Sequence, residues 1–291
     1  MRLVSLGKPL LDLELTLNSG QAFHWVREGD GWIGAIGTLG AYLEQKDGVL
    51  RANAEAASAA ERYLALEHPL EEIYATFPKD PVSRAALDFC RGMRILRQPS
   101  WEAVATFITS SMKQVAHIAQ ISHTLRRRFG CEVRLSKKVI HAYPTAAALA
   151  VLEEADLRAC SLGFRAKNLR AAARLVAEGA VSLTEVAALD DGEARRALMR
   201  LPGVGEKVAN CALLFGFERL RAFPVDVWIE RVIREKYFGG AEDVTAATIR
   251  QFCATAFGPF GGYMQQYLFH HARLTWKKNE GGALYGSADL V

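Results

Sequence analysis

One stretch, residues 201–226, constrains the fold more than any other part of the chain. It reads LPGVGEKVANCALLFGFERLRAFPVD. The proline and the two glycines at its start are typical of a connector between two helices. Two glycines beside a helix start also let the backbone approach an anion and present N–H groups to it. The stretch therefore predicts two helices joined by a tight turn that can bind a phosphate, although a plain connector remains an alternative.

Two side chains in this stretch can carry chemistry. Lys207 lies two residues after the second glycine, where the positive end of the helix dipole favours a neutral, nucleophilic amine. Asp226, nineteen residues further on, occupies a position typical of a helix N-cap. We expect that cap to keep it ionised, the state that stabilises positive charge on a sugar ring. A solvated lysine and a purely capping aspartate are the alternatives.

Composition limits the class of protein. With 291 residues, half of them hydrophobic, the chain can bury a large core in two or three domains. It has no run of eighteen apolar residues and no signal-like start, so we expect neither a membrane protein nor a secreted one. The five cysteines are widely spaced, which argues against a disulfide framework and a clustered iron–sulfur site. We expect a cytoplasmic protein.

The charge is unevenly distributed along the chain. Residues 1–90 contain 8 basic and 13 acidic side chains, which leaves 28 basic and 19 acidic side chains in residues 91–291. An excess of positive charge in the larger part favours a polyanionic partner. A merely solvated surface is the alternative.

Hydrophobic periodicity divides the chain into two parts. Residues 11–17 alternate with period two, and Asp47-Gly48 is a hairpin signal, so residues 1–53 predict a small antiparallel sheet. From about Ala54 the period becomes helical, and Ser100 resembles a helix N-cap. We therefore predict an α+β protein, mainly helical, with an N-terminal part at residues 1–85 and helical domains at residues 86–291.

Three further features could complete a site. Cys211 follows Lys207 by four residues and shares its helical face, although small core filling is the commoner role. Gln265 and Phe269 have the same spacing, which suits stacking and edge hydrogen bonds with a planar heterocycle, although a core aromatic and a surface glutamine are the commoner roles. Arg165 follows Leu162-Gly163-Phe164, a glycine turn that we expect to expose it.

These residues carry a resemblance. LPGVGEKVANC followed by FPVD is similar to the helix–hairpin–helix Gly/Pro-Asp superfamily of DNA glycosylases, and more narrowly to its 8-oxoguanine DNA glycosylase/AP lyases of bacterial type. The supporting blocks extend over roughly residues 10–275. They are residues 18–23 (NSGQAF), 107–111 (FITSS), 162–166 (LGFRA) and 258–269 (GPF…Q…LF).

The resemblance implies roles for individual residues, with the hairpin at about residues 193–215. Lys207 would be the nucleophile that attacks C1′ and forms a Schiff base, and Asp226 would support the cationic sugar. The expected lesion pocket consists of Gly20, whose carbonyl would read the N7–H of 8-oxoguanine, with Cys211, Pro224, Gln265 and Phe269. The expected DNA contacts are Met112, Lys113, Gln114, His117, Arg165, Gly203, Gly205, Val208 and Trp228.

The sequence departs from the family pattern on the side of the opposite strand. Met112 stands where eukaryotic members have asparagine, and His117 where they have a second arginine. Trp228 replaces an expected histidine. An apolar Met112 carries no code for cytosine, which puts strict selectivity for the opposite base in doubt.

The resemblance also implies a partner and a cofactor requirement. The partner is double-stranded DNA containing 8-oxoguanine, bound by a monomer, and no cofactor is required. No metal ligand is expected, while a structural cation at the hairpin carbonyls stays open. The alternatives are an alkylpurine DNA glycosylase of the same fold, which would need no lysine, and a non-enzymatic DNA-binding module.

Overall fold

The structure is a computed structural model that describes residues 1–111 and 114–275. Its N-terminal part is an antiparallel sheet of five strands in the order β1-β5-β4-β3-β2. The strands are β1 (Leu3–Ser5), β2 (Val26–Glu28), β3 (Gly31–Ile36), β4 (Leu39–Lys46) and β5 (Val49–Asn53). The predicted small antiparallel sheet is confirmed.

The predicted hairpin at Asp47-Gly48 is also confirmed. Lys46 pairs with Val49, and the two turn residues both have positive φ, +53° and +75°. Asp-Gly is a favoured pair for that geometry because glycine has no Cβ and aspartate tolerates the left-handed region. The turn therefore fixes the register of β4 against β5.

The strand predicted at residues 11–17 is wrong. The chain forms helix α1 (Leu13–Asn18) there, and Asp12 caps it by accepting the Leu15 N–H at 2.8 Å. Leu13 and Leu17 are four residues apart and both buried. Leu13 and Leu17 share a helical face, which alternating leucines as a group do not, and the cap at Asp12 adds a helix start signal that the strand prediction left out.

Helices make up most of the rest, which confirms the predicted fold class. In the described part of the chain they are α2 (Ala57–Tyr63), α3 (Leu70–Ala75), α4 (Pro81–Cys90), α5 (Ser100–Ser110), α6 (Val115–Phe129), α7 (Ala146–Ala150), α8 (Glu154–Leu157), α9 (Arg165–Ala177), α10 (Leu183–Ala188), α11 (Asp191–Leu198), α12 (Glu206–Gly216), α13 (Val227–Tyr237), α14 (Ala246–Ala256) and α15 (Gly261–Thr275). Short 3₁₀ turns at Ala54–Ala56 and Gly258–Phe260 and a π turn at Arg158–Leu162 join some of them.

Two local details differ from expectation. Helix α5 begins at Ser100 with Pro99 at the cap position, and no side chain caps it. A hairpin of β6 (Glu132–Leu135) and β7 (Lys138–His141) lies where the sequence analysis predicted no strand. Val133 and Leu135 alternate with exposed residues, but four residues are too few to stand out in an otherwise helical region.

Two hydrophobic clusters organise the molecule. The sheet packs with α1 and α2 around Trp25, Leu43 and Leu50. The larger cluster joins α4, α5, α6, α9 and α12 to α15, and it includes Phe107, Leu214 and Tyr267. Within the described residues, no helix is long and apolar enough to cross a membrane. Helices α11 and α12 both pack their buried residues into the larger cluster.

Candidate active site

The glycine turn between α11 and α12 is built as the sequence predicted. Gly203 has φ +85°, and a Cβ there would lie 2.9 Å from the Asn168 Cβ, so a side chain has no room. Gly205 is exposed at the N-cap of α12, and Val208 is buried one turn later. The first N–H groups of α12 are thus available next to an open glycine, which suits an anion.

Lys207 lies in the first turn of α12, half-buried, with its Nζ 5.5 Å from the centroid of the Phe107 ring. One turn further along the helix is Cys211, which is 3% exposed. Burial raises the pKa of the Cys211 thiol to about 11, while the charge of Lys207 and a hydrogen bond with it oppose that rise. Cys211 is therefore a neutral thiol near neutral pH, in contact with the lysine.

Asp226 faces the same lysine from the start of α13. Its carboxylate accepts the Ile229 N–H at 2.9 Å, so the predicted N-cap is confirmed. The low pKa expected from that cap is wrong in direction. Burial raises the pKa of Asp226, and the N–H of Ile229 and the charge of Lys207 only oppose the rise. Loss of water therefore outweighs the backbone N–H groups and the charge of Lys207, which favour the ionised carboxylate.

A pocket wall forms where the N-terminal part meets α15. Gly20 has φ +85°, and a Cβ on it would lie 3.4 Å from Cε1 of Phe269 and 3.5 Å from Cγ2 of Val115. Gln265 is 4% exposed, and its Oε1 has no hydrogen-bond partner among the described residues. An unpaired buried carbonyl is costly, which is typical of a group that a ligand satisfies. The 3.4 Å approach shows that Gly20 and Phe269, which are 249 residues apart in the sequence, are neighbours in the fold.

Residues 4–104 match the family described as 8-oxoguanine DNA glycosylase, N-terminal domain. Residues 105–255, more than half of the chain, match HhH-GPD superfamily base excision DNA repair protein. The chain belongs to the HhH-GPD superfamily. Both the fold class and the family predicted from the sequence are thereby confirmed.

Individual relatives agree with this membership. The chain is 31% identical over 228 residues, covering 72% of each chain, to a probable N-glycosylase/DNA lyase of Methanothermobacter thermautotrophicus. It superimposes with a TM-score of 0.86 and 28% identity on the Clostridium acetobutylicum 8-oxoguanine glycosylase/lyase in complex with double-stranded DNA, over 94% of this chain and 98% of that one. MBOgg1 in complex with a low-affinity DNA ligand gives 0.88 and 29%, over 95% and 100%.

Arg165 of this HhH-GPD protein differs from expectation. The glycine turn before it does not expose it, since the side chain is 5% exposed. Its Nε donates to the Ser111 carbonyl at 2.7 Å and its Nη1 to the Leu162 carbonyl at 3.0 Å, while the guanidinium carbon lies 4.5 Å from the centroid of the Phe164 ring. Phe164 is exposed in its place. Arg165 therefore holds the chain just before residue 112.

The remaining predicted site residues of this superfamily member lie at the start of α6, at the start of α13 and just before α13. Gln114 and His117 are exposed at the start of α6, and Trp228 is half-buried in the first turn of α13. Pro224 is buried next to Phe223, whose ring stacks on Phe257 at 4.8 Å. Met112 and Lys113 lie outside the described residues.

Two features were missed by sequence reasoning. Phe107 approaches Lys207, and only its place in the FITSS block could have drawn attention to it. Glu67, His68 and Glu218 also converge with metal-ligand spacing. The guanidinium of Arg97 pairs with both carboxylates and lies 3.2 Å from His68 Nε2. Both carboxylates already pair with the guanidinium of Arg97, so the cluster is an ion-pair network.

Proposed function

We propose that this chain is a base-excision-repair enzyme, a bifunctional DNA glycosylase and AP lyase that removes 8-oxoguanine from duplex DNA. The observation that carries the proposal is the meeting of Lys207, Cys211 and Asp226 at the start of α12. The relatives named above as N-glycosylase/DNA lyase and 8-oxoguanine glycosylase/lyase support it.

In this proposal the hairpin holds the DNA backbone while the damaged nucleotide turns out of the duplex. The backbone at Gly203, Gly205, Lys207 and Val208 binds a phosphate through N–H groups that the open glycine leaves accessible. Unstacking and unpairing the base costs a few kcal/mol, which the phosphate and pocket contacts offset. No cofactor is required for the steps that follow.

The chemistry belongs to Lys207 and Asp226. The lone pair of Lys207 Nζ forms a bond to C1′ while the bond from C1′ to the base breaks. The electron pair of the broken bond leaves with the base, which takes up a proton. The ionised Asp226 stabilises the positive charge that develops on the sugar. The amine then loses a proton and the sugar ring opens to an imine. Loss of a C2′ proton expels the 3′ phosphate, and hydrolysis of the imine frees Lys207.

The pocket residues supply base recognition. The neutral thiol of Cys211 and the ring of Phe269 sandwich the base, next to Pro224. The unpaired Oε1 of Gln265 accepts from the Watson–Crick edge of the purine. The Gly20 carbonyl accepts the N7–H that 8-oxoguanine has and guanine lacks, and it repels the lone pair of guanine N7.

Contacts to the opposite strand complete the proposal. Met112 enters the gap left by the flipped base as an apolar wedge. The strands on either side meet Lys113, Gln114, His117 and Trp228, whereas Arg165 acts indirectly by binding the Ser111 carbonyl. The enzyme works as a monomer on double-stranded DNA in the cytoplasm, at the nucleoid if the source is bacterial.

Borohydride trapping tests the mechanism. Borohydride reduces an imine, so wild-type protein on an 8-oxoguanine duplex should give a covalent protein–DNA complex, and Lys207→Gln should give none. Lys46→Gln is the matched control, because Lys46 is exposed at the end of β4 in the sheet. Excision without a trapped complex would favour an alkylpurine-type enzyme that activates water, and DNA binding without excision would favour a simple binding module.

A further inference from the structure

The turn that carries Gly20 is held by one face of α15. The Gln266 amide Nε2 donates to the Ser19 carbonyl at 2.9 Å. Arg273 Nη2 donates to the Asn18 carbonyl at 3.2 Å. The His270 ring makes a further hydrogen bond with the Ser19 backbone. Three side chains thus bind the two residues immediately before Gly20.

The three side chains form one unit. Gln266, His270 and Arg273 follow each other at i, i+4 and i+7, so they share a face of the helix. Arg273 Nη2 lies 3.1 Å from Nδ1 of His270. Burial and then the charge of Arg273 lower the pKa of His270 to about 4. The neutral ring accepts from Arg273 on one side and keeps its other nitrogen for the Ser19 backbone.

The same unit touches the pocket wall. The guanidinium carbon of Arg273 lies 5.7 Å from the centroid of the Phe269 ring. Phe269 in turn is the side chain that a Cβ on Gly20 would meet first, at 3.4 Å. Gln266 and His270 are each 3% exposed. Buried polar side chains with specific partners fix one arrangement, because any shift of the turn leaves them unpaired.

We propose that Gln266, His270 and Arg273 are positioning residues that set the Gly20 carbonyl against Phe269, and thereby determine how strongly the pocket prefers 8-oxoguanine to guanine. The inference rests on the proposed function. Discrimination at Gly20 depends on one hydrogen bond to N7–H against repulsion of an N7 lone pair. Both depend steeply on the position of one backbone oxygen, and the clamp fixes that position from outside the pocket.

Two measurements test this clamp with Arg273→Met and Gln266→Met. The first is single-turnover excision of 8-oxoguanine compared with cleavage at a preformed abasic site, which contains no base to recognise. We expect excision to fall at least tenfold while abasic-site cleavage stays within twofold. Arg273→Lys should keep most of the excision, because it retains a cationic donor for the Asn18 carbonyl. Arg84→Met, at an exposed arginine of α4, is the control for loss of charge.

The second measurement is the ratio of affinities for 8-oxoguanine and guanine duplexes, in a Lys207→Gln background that cannot excise. The ratio should fall at least tenfold with either clamp substitution. Unchanged excision and ratio would overturn the clamp, as would a parallel loss of excision and abasic-site cleavage in a variant that melts like the wild type. Wild-type protein that neither excises 8-oxoguanine nor cleaves abasic sites would instead refute the proposed function.

Discussion

At Asp226, a helix cap and a proposed catalytic charge share one side chain. Asparagine caps a helix about as well as aspartate but carries no charge. We therefore expect Asp226→Asn to lower the excision rate about 100-fold or more, roughly 3 kcal/mol, which is the size of effect for removing one electrostatic stabiliser. The melting temperature should change little because the bond to Ile229 survives. Single-turnover excision and thermal melting check this, and excision at the wild-type rate would refute the role.

Methionine at position 112 should weaken the dependence of excision on the base opposite the lesion. Because methionine offers no hydrogen-bond code for cytosine, excision rates with cytosine and with adenine opposite the lesion should differ less than tenfold, or about 1.4 kcal/mol. Met112→Asn should raise the preference for cytosine. Single-turnover rates on the two duplexes measure it. A larger preference in the wild type would show that residues other than Met112 are enough to read cytosine.

Among the elements, the hairpin between α11 and α12 offers a matched pair of glycines. Gly203→Ala places a Cβ at positive φ and 2.9 Å from Asn168, so we expect a loss of about 1–3 kcal/mol of folding stability. Gly205→Ala meets nothing within 4 Å, and its φ of −93° is ordinary, so the fold should tolerate it. Gly205→Ala should weaken DNA binding, since in the proposed function its methyl group lies beside the bound phosphate, whereas the Cβ of Gly203→Ala points at Asn168. Urea unfolding and duplex affinity separate the two effects, and equal stability losses would contradict the strain argument.

Over the whole molecule, buried histidines link stability to pH. Burial lowers the pKa of His24, His68, His270 and His271. As the pH falls, the unfolded chain binds protons at these sites before the folded chain does. The stability that the neutral histidines contribute is therefore complete above pH 6.5 and declines as the pH falls below it. His270, with a pKa of about 4, alone accounts for a loss of on the order of 3 kcal/mol of folding stability by pH 4.

The raised pKa values of Glu102 and Asp226 act in the opposite sense. We expect the histidines to dominate between pH 7 and pH 5, because their unfolded pKa of about 6.5 lies in that range, and therefore a lower melting temperature at pH 5 than at pH 7. Thermal melts at constant ionic strength check this. His270→Gln should reduce the difference, because glutamine does not titrate. An equal or higher melting temperature at pH 5 would refute the prediction.

The sequence by itself determined the features that are local in the chain. The turn at Asp47-Gly48, the cap at Asp226 and the helix start after Gly205 each depend on a few neighbouring residues, and spacing along a helix places Cys211 beside Lys207. Local ambiguity explains the errors. Residues 11–17 have the period of a strand, yet Leu13 and Leu17 also have helical spacing, and β6 and β7 are four residues each.

Only the tertiary structure decided what burial does to those residues. The raised pKa of Asp226 and the buried guanidinium of Arg165 follow from surrounding atoms that no local pattern specifies. The same is true of the contact between Gly20 and Phe269 and of the clamp that α15 places on residues 18 and 19. Sequence fixes which groups are present and how neighbours are spaced, whereas water exclusion and long-range contact exist only once the chain has packed.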